Sequence, residues 1–456
     1  MQSRRDSSAS VTIAESETHE PRTLSFSSQQ EDLPAQFSES GREAPRFGGK
    51  VLLTALAIGL IGLFVLLFGI HRPSGIIFDE WWYVPAAKAI LSGNLQNMDP
   101  GEPPMGKLLI AVGIKMAGDN STGWRVSGGV CGALALVAVF LWTQALFAEY
   151  RVSIYAAALT LFNNFLFVMS RIGMLDVFLV CFMLWAVLAY TAAFRLDIST
   201  TKRRILLACS GFLFGLSGAC KWNAIDTLAA LLVISLAAPW IFKFVSVPST
   251  SSLSRFAGKL RSVGIPSLLL ALVLLPVLSY SLVYWVLFRI VHLPFSLHEL
   301  AQVNYAMWRF HVRDTFNPNL LRHWYQWPFA ISPIRLMSYL LGNPVVMWGG
   351  FLAVWFCLWR GWRSLGVSEG LVALLYLANL LQWAVTPSRN AHYYYYFPAA
   401  MFLGVALAYA VHRLPRLFGI RVSVIVMAAA VVVFVWCYPR MAHLDAPWDC
   451  ALGCWI

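Results

Sequence analysis

The chain has 456 residues, of which 59% are hydrophobic and only 12% are charged. A soluble globular domain carries about 25% charged residues, so this composition excludes an ordinary water-soluble domain and predicts a protein solvated mostly by lipid. The net charge of +12 does not indicate nucleic acid binding. The basic residues lie in short loops between apolar runs, where membrane orientation and phosphate binding explain them better.

Residues 1–50 differ from the rest of the chain. They are rich in Ser, Glu, Gln and Arg without sustained periodicity, which predicts a disordered tail. The first apolar run, 51–70, starts too late and is too long for a cleavable signal. It is therefore predicted to be a signal-anchor helix. Arg42, Arg46 and Lys50 before it favour a cytoplasmic N-terminus.

Residues 51–456 form the predicted membrane domain, an all-α polytopic bundle of about eleven transmembrane helices. The predicted spans are 51–70, 126–148, 152–169, 172–193, 205–220, 224–243, 264–290, 337–359, 367–385, 395–412 and 421–438. This alternation leaves most of the 34 Lys and Arg residues on the inner side, in agreement with the positive-inside rule.

Two predicted outer loops, 71–125 and 291–336, are long enough to build a site. The amphipathic piece 84–91 and the apolar piece 108–116 are too short to span, which predicts helices along the membrane interface. The histidines of the second loop are irregularly spaced, so no metal site is expected. Cys450 and Cys454 lie on the predicted outer side, where a disulfide can form.

Asp79 and Glu80 follow the first span directly. Adjacent carboxylates at the edge of a membrane are costly and usually functional. A phosphate-linked sugar has a leaving group that departs as a stable anion, so one carboxylate that takes a proton from an incoming hydroxyl is sufficient. The outer loops also carry many cations, which the binding of a lipid-linked phosphate explains better than orientation does.

The order of several motifs is informative. These motifs are Phe78-Asp79-Glu80; Asp99-Pro100-Gly101-Glu102-Pro103-Pro104-Met105-Gly106-Lys107; Ser170-Arg171 with Asp176; Lys221-Trp222; Trp324-Tyr325-Gln326-Trp327-Pro328 with Arg335; and Pro387-Ser388-Arg389 before His392 and Tyr393 to Tyr396. The set resembles the protein O-mannosyltransferase family, the dolichyl-phosphate-mannose–protein mannosyltransferases, within the GT-C membrane glycosyltransferases. The resemblance covers roughly residues 51–440.

This resemblance implies a transferase that moves mannose from a polyprenyl- or dolichyl-phosphate donor to Ser or Thr of exported proteins, by inverting displacement. It places the catalytic acid of the family at the Asp-Glu pair, so Asp79 is the candidate base and Glu80 orients the acceptor or sugar. The candidate ligands of the donor phosphate are Arg389, Arg171, Lys221 and Arg335. The candidate acceptor or sugar contacts are Asp99, Glu102, Lys107, Trp324, Trp327 and His392.

The chain departs from the family pattern in two respects. Where the family usually has Asp-x-His-Pro-Pro, Glu102 stands directly before the prolines and Asp99 three residues earlier. No soluble β-trefoil insert is visible in an outer loop, so the chain looks like a bacterial member, with its site outside the cell membrane; in a eukaryote it would lie in the endoplasmic reticulum membrane.

Three alternatives remain open from the residues. Arg171 and Asp176 can form an ion pair that only ties helices together. The acceptor can instead be a lipid or an envelope polysaccharide, because fold supports reaction type better than substrate. A transporter of lipid-linked sugar is less well supported, since the charges collect in outer loops and no inverted repeat is visible.

Overall fold

The computed structural model describes residues 47–93, 101–244, 247–313, 323–329, 335–336, 339–340, 342–385, 392–418 and 420–442. Most of these residues are helical, which confirms the predicted all-α class. The helices are α1 (Gly49–Leu67), α2 (Glu80–Ser92), α3 (Met105–Ala117), α4 (Ser121–Phe147), α5 (Tyr150–Leu161), α6 (Asn164–Ser170), α7 (Asp176–Arg195), α8 (Thr200–Gly218), α9 (Ala224–Phe244), α10 (Ser252–Val263), α11 (Ile265–Leu269), α12 (Leu275–Ile290), α13 (Leu297–Arg313), α14 (Pro344–Ser364), α15 (Val367–Val385), α16 (Phe397–Ala400), α17 (Leu403–Val411) and α18 (Val422–Met441).

The remaining regular elements are short. A π-helical turn, Leu270–Leu274, joins α11 to α12, and 3₁₀ turns occupy Trp324–Gln326 and Tyr393–Tyr396. Two antiparallel pairs complete the list: β1 (Arg335–Leu336) with β2 (Tyr339–Leu340), and β3 (Arg416–Leu417) with β4 (Ile420–Arg421).

Seven helices in the described ranges are long and apolar enough to cross a membrane, and up to nine spans result if each bent helix pair counts as one. The bent pairs are α5 with α6 (58°) and the segment Tyr393–Ala400 with α17 (48°). The eleven predicted spans are consistent with these helices, although α8 begins with charged residues and the apolar part of α9 is shorter. The prediction for 337–359 is shifted, since Pro344 starts the helix there.

The helix ends sort into two sides. On one side, which we call the basic side, cations donate hydrogen bonds to carbonyls at helix ends. Arg203 Nε donates to Ala193 O (2.7 Å), and Lys259 Nζ donates to Phe194 O (2.8 Å). The opposite side carries Asp79 and is called the Asp79 side. The dipole of a helix favours cations near its C-terminal end, and the two carbonyls that accept from Arg203 and Lys259 lie at the C-terminal end of α7.

The helix α7 forms the centre of the bundle between α4 and α8. Its neighbour α8 approaches α12 closely through glycine. A Cβ added at Gly211 would lie 1.7 Å from Ala271 O, and one at Gly215 would lie 1.8 Å from Ser279 Oγ. This contact fixes α8 and, with it, the residues that follow its last turn.

The predicted interfacial pieces of the first loop are helical, as α2 and α3. In the second loop α13 presents its large apolar side chains outward, and Leu297, Tyr305, Trp308 and Val312 are each more than half exposed. The predicted tail, 1–50, lies almost wholly outside the described residues, and so do Cys450 and Cys454.

Candidate active site

The link between α1 and α2 is held by one buried arginine. Arg125, in the first turns of α4, donates from Nη1 to Pro73 O (2.7 Å) and from Nη2 to Gly75 O (2.9 Å). The same guanidinium donates from Nε to Glu80 Oε1 (2.6 Å) and from Nη2 to Glu80 Oε2 (2.8 Å). A planar fork of donors suits such multiple contacts. Arg125 therefore fixes the path of the chain that leads to Asp79.

Glu80 is completely buried in this arrangement. Besides Arg125, its carboxylate accepts hydrogen bonds from the amides of Ile77 (3.0 Å) and Gly173 (2.8 Å). A carboxylate with these four donors is fully occupied by the protein. These contacts hold the start of α2 in place, and the orientation of the acceptor or sugar by Glu80 stays a prediction.

Asp79 occupies the position before the first residue of α2, and its side chain does not cap that helix. It is half-buried, and Tyr394 donates its hydroxyl to Oδ2 at 3.4 Å. The preceding residue, Phe78, has a left-handed φ of +47° and packs edge-on against the Tyr394 ring at 5.4 Å. Such a backbone persists only where its surroundings impose it. The surroundings here hold the Asp79 carboxylate against Tyr394.

A second charged cluster lies beyond Tyr394. The Lys221 ammonium follows the last turn of α8 and donates to both oxygens of Asp176, at 2.9 and 3.1 Å. Glu102 Oε1 lies 3.9 Å from the same nitrogen. Burial by itself would lower the pKa of Lys221, but the carboxylates of Asp176 and Glu102 outweigh burial and raise that pKa well above its ordinary value. Lys221 is therefore a permanent cation.

Two tyrosines lie between Asp79 and the Lys221 cluster. Lys221 Nζ lies 5.3 Å from the centroid of the Tyr394 ring and 5.1 Å from that of Tyr395. A cation in these positions is attracted to the ring faces. Since Tyr394 also bonds to Asp79, the candidate base and the permanent cation share one tyrosine between them.

An aromatic wall continues from Tyr395. The Trp383 ring stacks on Tyr395 at 5.0 Å, and the buried Trp327 lies edge-on to Trp383 at 5.7 Å. His392 stacks on Tyr394 at 5.4 Å. The structure thus brings the predicted residues Trp327 and His392 to the same side as Asp79 and Lys221. The half-buried Trp324 begins the 3₁₀ turn that Trp327 directly follows.

Other predicted site residues make structural contacts. Arg171 donates from Nη1 to Leu66 O (2.9 Å) and Phe68 O (2.6 Å) at the end of α1. Asp176 bonds to Lys221, so the alternative pairing of Arg171 with Asp176 does not match the hydrogen bonds found. Lys107 is buried and donates to Glu102 O at 2.7 Å. It supports the loop that carries Glu102.

Three of the predicted site residues have side chains outside the part of the chain that the structure describes. Asp99 and Arg389 lie outside the described residues, and Arg335 is described only as part of β1. Within the described ranges, His, Cys, Asp and Glu side chains form no group of three that could hold a metal ion.

The sequence did not indicate a role for Arg125 or for Tyr394. It left two interpretations of Asp176 open, a functional residue of the motif or an ion-pair partner of Arg171. Arg125 and Asp176 each stand within the first turns of an apolar helix. A charge in that position requires a partner, and this is the signal that points to both. The hydroxyl of Tyr394 has no comparable signal, because the run Tyr393 to Tyr396 gives four equivalent candidates.

Comparison with known proteins supplies independent information. Residues 101–252 match the family model described as dolichyl-phosphate-mannose-protein mannosyltransferase. A Mycolicibacterium smegmatis protein named polyprenol-phosphate-mannose–protein mannosyltransferase is 26% identical, over 81% of this chain and 84% of that protein. A Corynebacterium glutamicum protein of the same name is 26% identical over 73% and 76%.

The fold is similar to that of a solved enzyme. The Saccharomyces cerevisiae protein O-mannosyltransferase Pmt1-Pmt2 complex bound to the sugar donor superimposes with a TM-score of 0.74. The match covers 90% of this chain and 93% of that chain, at 13% sequence identity.

Proposed function

Because the chain belongs to the dolichyl-phosphate-mannose–protein mannosyltransferase family, we propose that it transfers a mannosyl residue from a polyprenyl-phosphate donor to Ser or Thr hydroxyls of exported proteins. The observation that carries the proposal is the placement of Asp79. Its carboxylate stands at the start of α2, half-buried, on a segment fixed by the buried Glu80–Arg125 pair.

The reaction that this arrangement supports is a single displacement. The hydroxyl oxygen of the acceptor forms a bond to the anomeric carbon of the sugar while the bond from that carbon to the phosphate oxygen breaks. Asp79 takes the hydroxyl proton, and the phosphate leaves with the electron pair. The anomeric configuration inverts because attack and departure occur on opposite faces. No general acid is needed, since the phosphate is a stable anion.

Lys221 supports departure of the phosphate. Its ammonium has three N–H donors, of which Asp176 accepts two. The two carboxylates of Asp176 and Glu102 outweigh the single charge of Lys221, so a second cation is required to stabilise the phosphate. Arg389 is that cation in our proposal. It precedes His392 and Tyr394 in the sequence, and a guanidinium binds phosphate through two parallel hydrogen bonds.

The aromatic wall is suited to the acceptor. Trp383 and Tyr395, both half-buried, offer ring surface beside the Tyr394 that contacts Asp79, and the buried Trp327 packs edge-on against Trp383. Aromatic side chains bind an extended peptide through large, rigid surfaces at low entropic cost.

The test is reconstitution of the purified chain in lipid nanodiscs with polyprenyl-phosphate-[¹⁴C]mannose and a Ser/Thr-rich peptide. We expect label in the peptide, linked with the anomeric configuration opposite to that of the donor, and none with Asp79→Asn. Label that enters only an added lipid or envelope polysaccharide would replace the acceptor in this proposal. A lack of transfer to all three acceptors by wild-type protein that binds the donor would refute it.

A further inference from the structure

The loop between α17 and α18 forms a small hairpin from β3 and β4. In this hairpin Arg416 lies opposite Arg421, and Leu417 lies opposite Ile420. Residues directly opposite each other in an antiparallel pair lie on the same face, and successive residues lie on opposite faces. The hairpin therefore has one cationic face and one apolar face, and all four residues are exposed.

The cationic face is unfavourable for the hairpin by itself. Like charges directly opposite each other destabilise a strand pair, and an isolated two-stranded hairpin is only marginally stable. Among the described residues, neither of these two guanidinium groups has an ion-pair or hydrogen-bond partner, whereas the neighbouring Arg413 pairs with Glu149. An anion held between the two guanidinium groups would remove their repulsion, because guanidinium binds phosphate oxygens through charge-assisted hydrogen bonds.

The tip of the hairpin presents a large apolar ring. Phe418 directly follows β3, has a left-handed φ of +51° and is 93% exposed. A left-handed φ is unfavourable for a bulky residue, and such a turn normally carries Asn or Gly. Leu414, just before β3, is also exposed. A ring held in this unfavourable conformation indicates that something outside the chain covers it.

The hairpin lies on the basic side of the bundle. Arg413, just before β3, pairs with Glu149 in the short turn between α4 and α5. Arg195, the last residue of α7, donates to Leu146 O in the last turn of α4 at 3.0 Å. The α17–α18 connection therefore lies at the same end of the bundle as the C-terminal end of α7.

The reach of the hairpin is short. Only residues 412–421 join α17 to α18, and α18 is one of the helices long and apolar enough to cross a membrane. Two residue pairs of a hairpin extend about 7 Å. The headgroup layer on each face of a bilayer is about 5–8 Å thick, so the hairpin stays close to this layer. A soluble partner would have to enter the layer to cover the tip, whereas phospholipid is already present there.

Membrane orientation alone does not account for the hairpin. The positive-inside rule favours cations in this loop, but it does not require that two of them lie opposite each other beside an exposed apolar tip. A soluble anion would suit the arginines and leave Leu417, Phe418 and Ile420 in water. An anionic bilayer suits both faces, because its phosphate groups lie directly above hydrocarbon.

We propose that the α17–α18 hairpin binds anionic phospholipid in the leaflet on the basic side. Arg416 and Arg421 hold a headgroup phosphate between them, and Phe418 inserts among the adjacent acyl chains. The helix α17 leads from this hairpin to the segment Tyr393–Ala400, which carries Tyr394. The bound lipid therefore fixes the end of α17 that lies opposite the candidate active site.

A photocrosslinker at the tip identifies what covers it. Full-length protein with Phe418→benzoylphenylalanine is reconstituted in nanodiscs of phosphatidylcholine and phosphatidylglycerol in equal amounts and irradiated, and its adducts are identified by mass spectrometry. We expect phosphatidylglycerol adducts to exceed phosphatidylcholine adducts about tenfold. Arg416→Gln and Arg421→Gln should each lower this preference about fivefold, the usual effect of one cation near an anionic surface. Lys202→Gln, which removes an exposed cation at the start of α8 on the same side, is the matched control and should keep the preference.

Other outcomes overturn the proposal. Equal adducts with both lipids, or a preference that survives both arginine substitutions, would show that the arginines hold no headgroup. If no lipid adduct forms, the ring does not enter the bilayer. Irradiation in cell membranes tests for protein partners, since an adduct of twice the chain mass identifies a second copy and any other protein adduct a different partner. Either protein adduct in place of the lipid adduct assigns the tip to a protein interface.

Discussion

Arg125 and Glu80, 45 positions apart in the sequence, form a two-pronged ion pair in which neither side chain reaches solvent. The pair lies one residue from Asp79 and also binds the carbonyls of Pro73 and Gly75. Two adjacent carboxylates thus have different tasks. Glu80 is a positioning residue, bonded to the protein on every side described, whereas Asp79 is half-buried and does not cap its helix.

Glu80→Gln should therefore destabilise the protein and slow transfer. The amide keeps the size of the side chain but leaves the Arg125 charge buried without its counter-ion, which typically costs about 3–5 kcal/mol. Thermal unfolding in detergent and the transfer rate measure the two effects. The control is Asp119→Asn, because the Asp119–Lys88 pair on the same side of the bundle is largely exposed and such pairs contribute about 0–1 kcal/mol. Equal effects of the two substitutions would contradict the positioning role.

The sequence predicts more of the fold than of the site. Apolar runs gave helices where α1, α4, α7 and α18 lie, and the order of the motifs predicted a family that the comparisons confirm. Hydropathy fails where a helix begins with charges, as α8 does at Lys202, and where a chain bends, as between α5 and α6. Hydropathy measures only the local composition of the sequence, whereas the charged start of α8 and the bend between α5 and α6 depend on contacts with other helices.

The periodicity of the sequence could not predict which residues bond to one another within the site. Lys221 was predicted to lie at the outer end of a span, but its bond to Asp176 joins residues 45 positions apart. Arg171 was predicted as a phosphate ligand because it stands at a helix end. In the structure it bonds to Leu66 O and Phe68 O at the end of α1, a contact that no local pattern in either segment indicates, and its role as a phosphate ligand stays a prediction.

Asp79→Asn should abolish transfer with donor binding nearly unchanged. The amide cannot take a proton, and loss of a general base typically costs about 10²- to 10⁴-fold in rate. Single-turnover kinetics with labelled donor measure the chemical step, and an equilibrium binding assay measures the donor affinity. Tyr394→Phe is the companion variant, since it removes the hydroxyl that bonds to Asp79 but keeps the ring beside Lys221. Near wild-type turnover of Asp79→Asn would remove Asp79 from the mechanism.

Lys221→Met should lower both stability and transfer. In the wild type the pKa of Lys221 is raised above the ordinary value of 10.5, so the contribution of the ammonium is complete below that pH and is lost only as pH rises through the folded-state pKa. Wild-type stability therefore does not vary on this account between pH 6 and 9. In the variant the Asp176 carboxylate is buried without its cation, which is strongly destabilising.

The double variant Lys221→Met, Asp176→Leu separates structure from catalysis. Replacement of a whole buried pair by apolar residues is often neutral or stabilising, so the melting temperature should recover. Transfer should not recover, because the cation that we propose to support departure of the phosphate is still absent. A double variant that regains both would show that the pair serves only to tie α7 to the end of α8.

The two sides of the bundle should face opposite compartments, with the basic side in the cytoplasm. The prediction follows from the cations at Arg203 and Lys259, which gather on one side while Asp79 lies on the other. Single cysteines at Thr201 and at Gln302, both exposed, can be labelled in sealed cells with a membrane-impermeant maleimide. Gln302→Cys should react without permeabilisation and Thr201→Cys only after it. Labelling of both from one side would refute the orientation.

Arg389→Lys should weaken donor use although the charge is kept. Arg389 follows Pro387, where a helix does not continue easily, and precedes the segment that carries His392 and Tyr394. A guanidinium holds a phosphate by two parallel hydrogen bonds, whereas an ammonium is a point charge. Loss of one charge-assisted hydrogen bond, worth about 1.5 kcal/mol, raises the donor KM about tenfold. Arg309→Lys, in α13, is the control and should be nearly silent, because an interfacial cation only needs its charge at the headgroups. If Arg389→Lys is equally silent, Arg389 is such an anchor too, and the phosphate must be held by Lys221 and by another cation of the loop that carries Arg335.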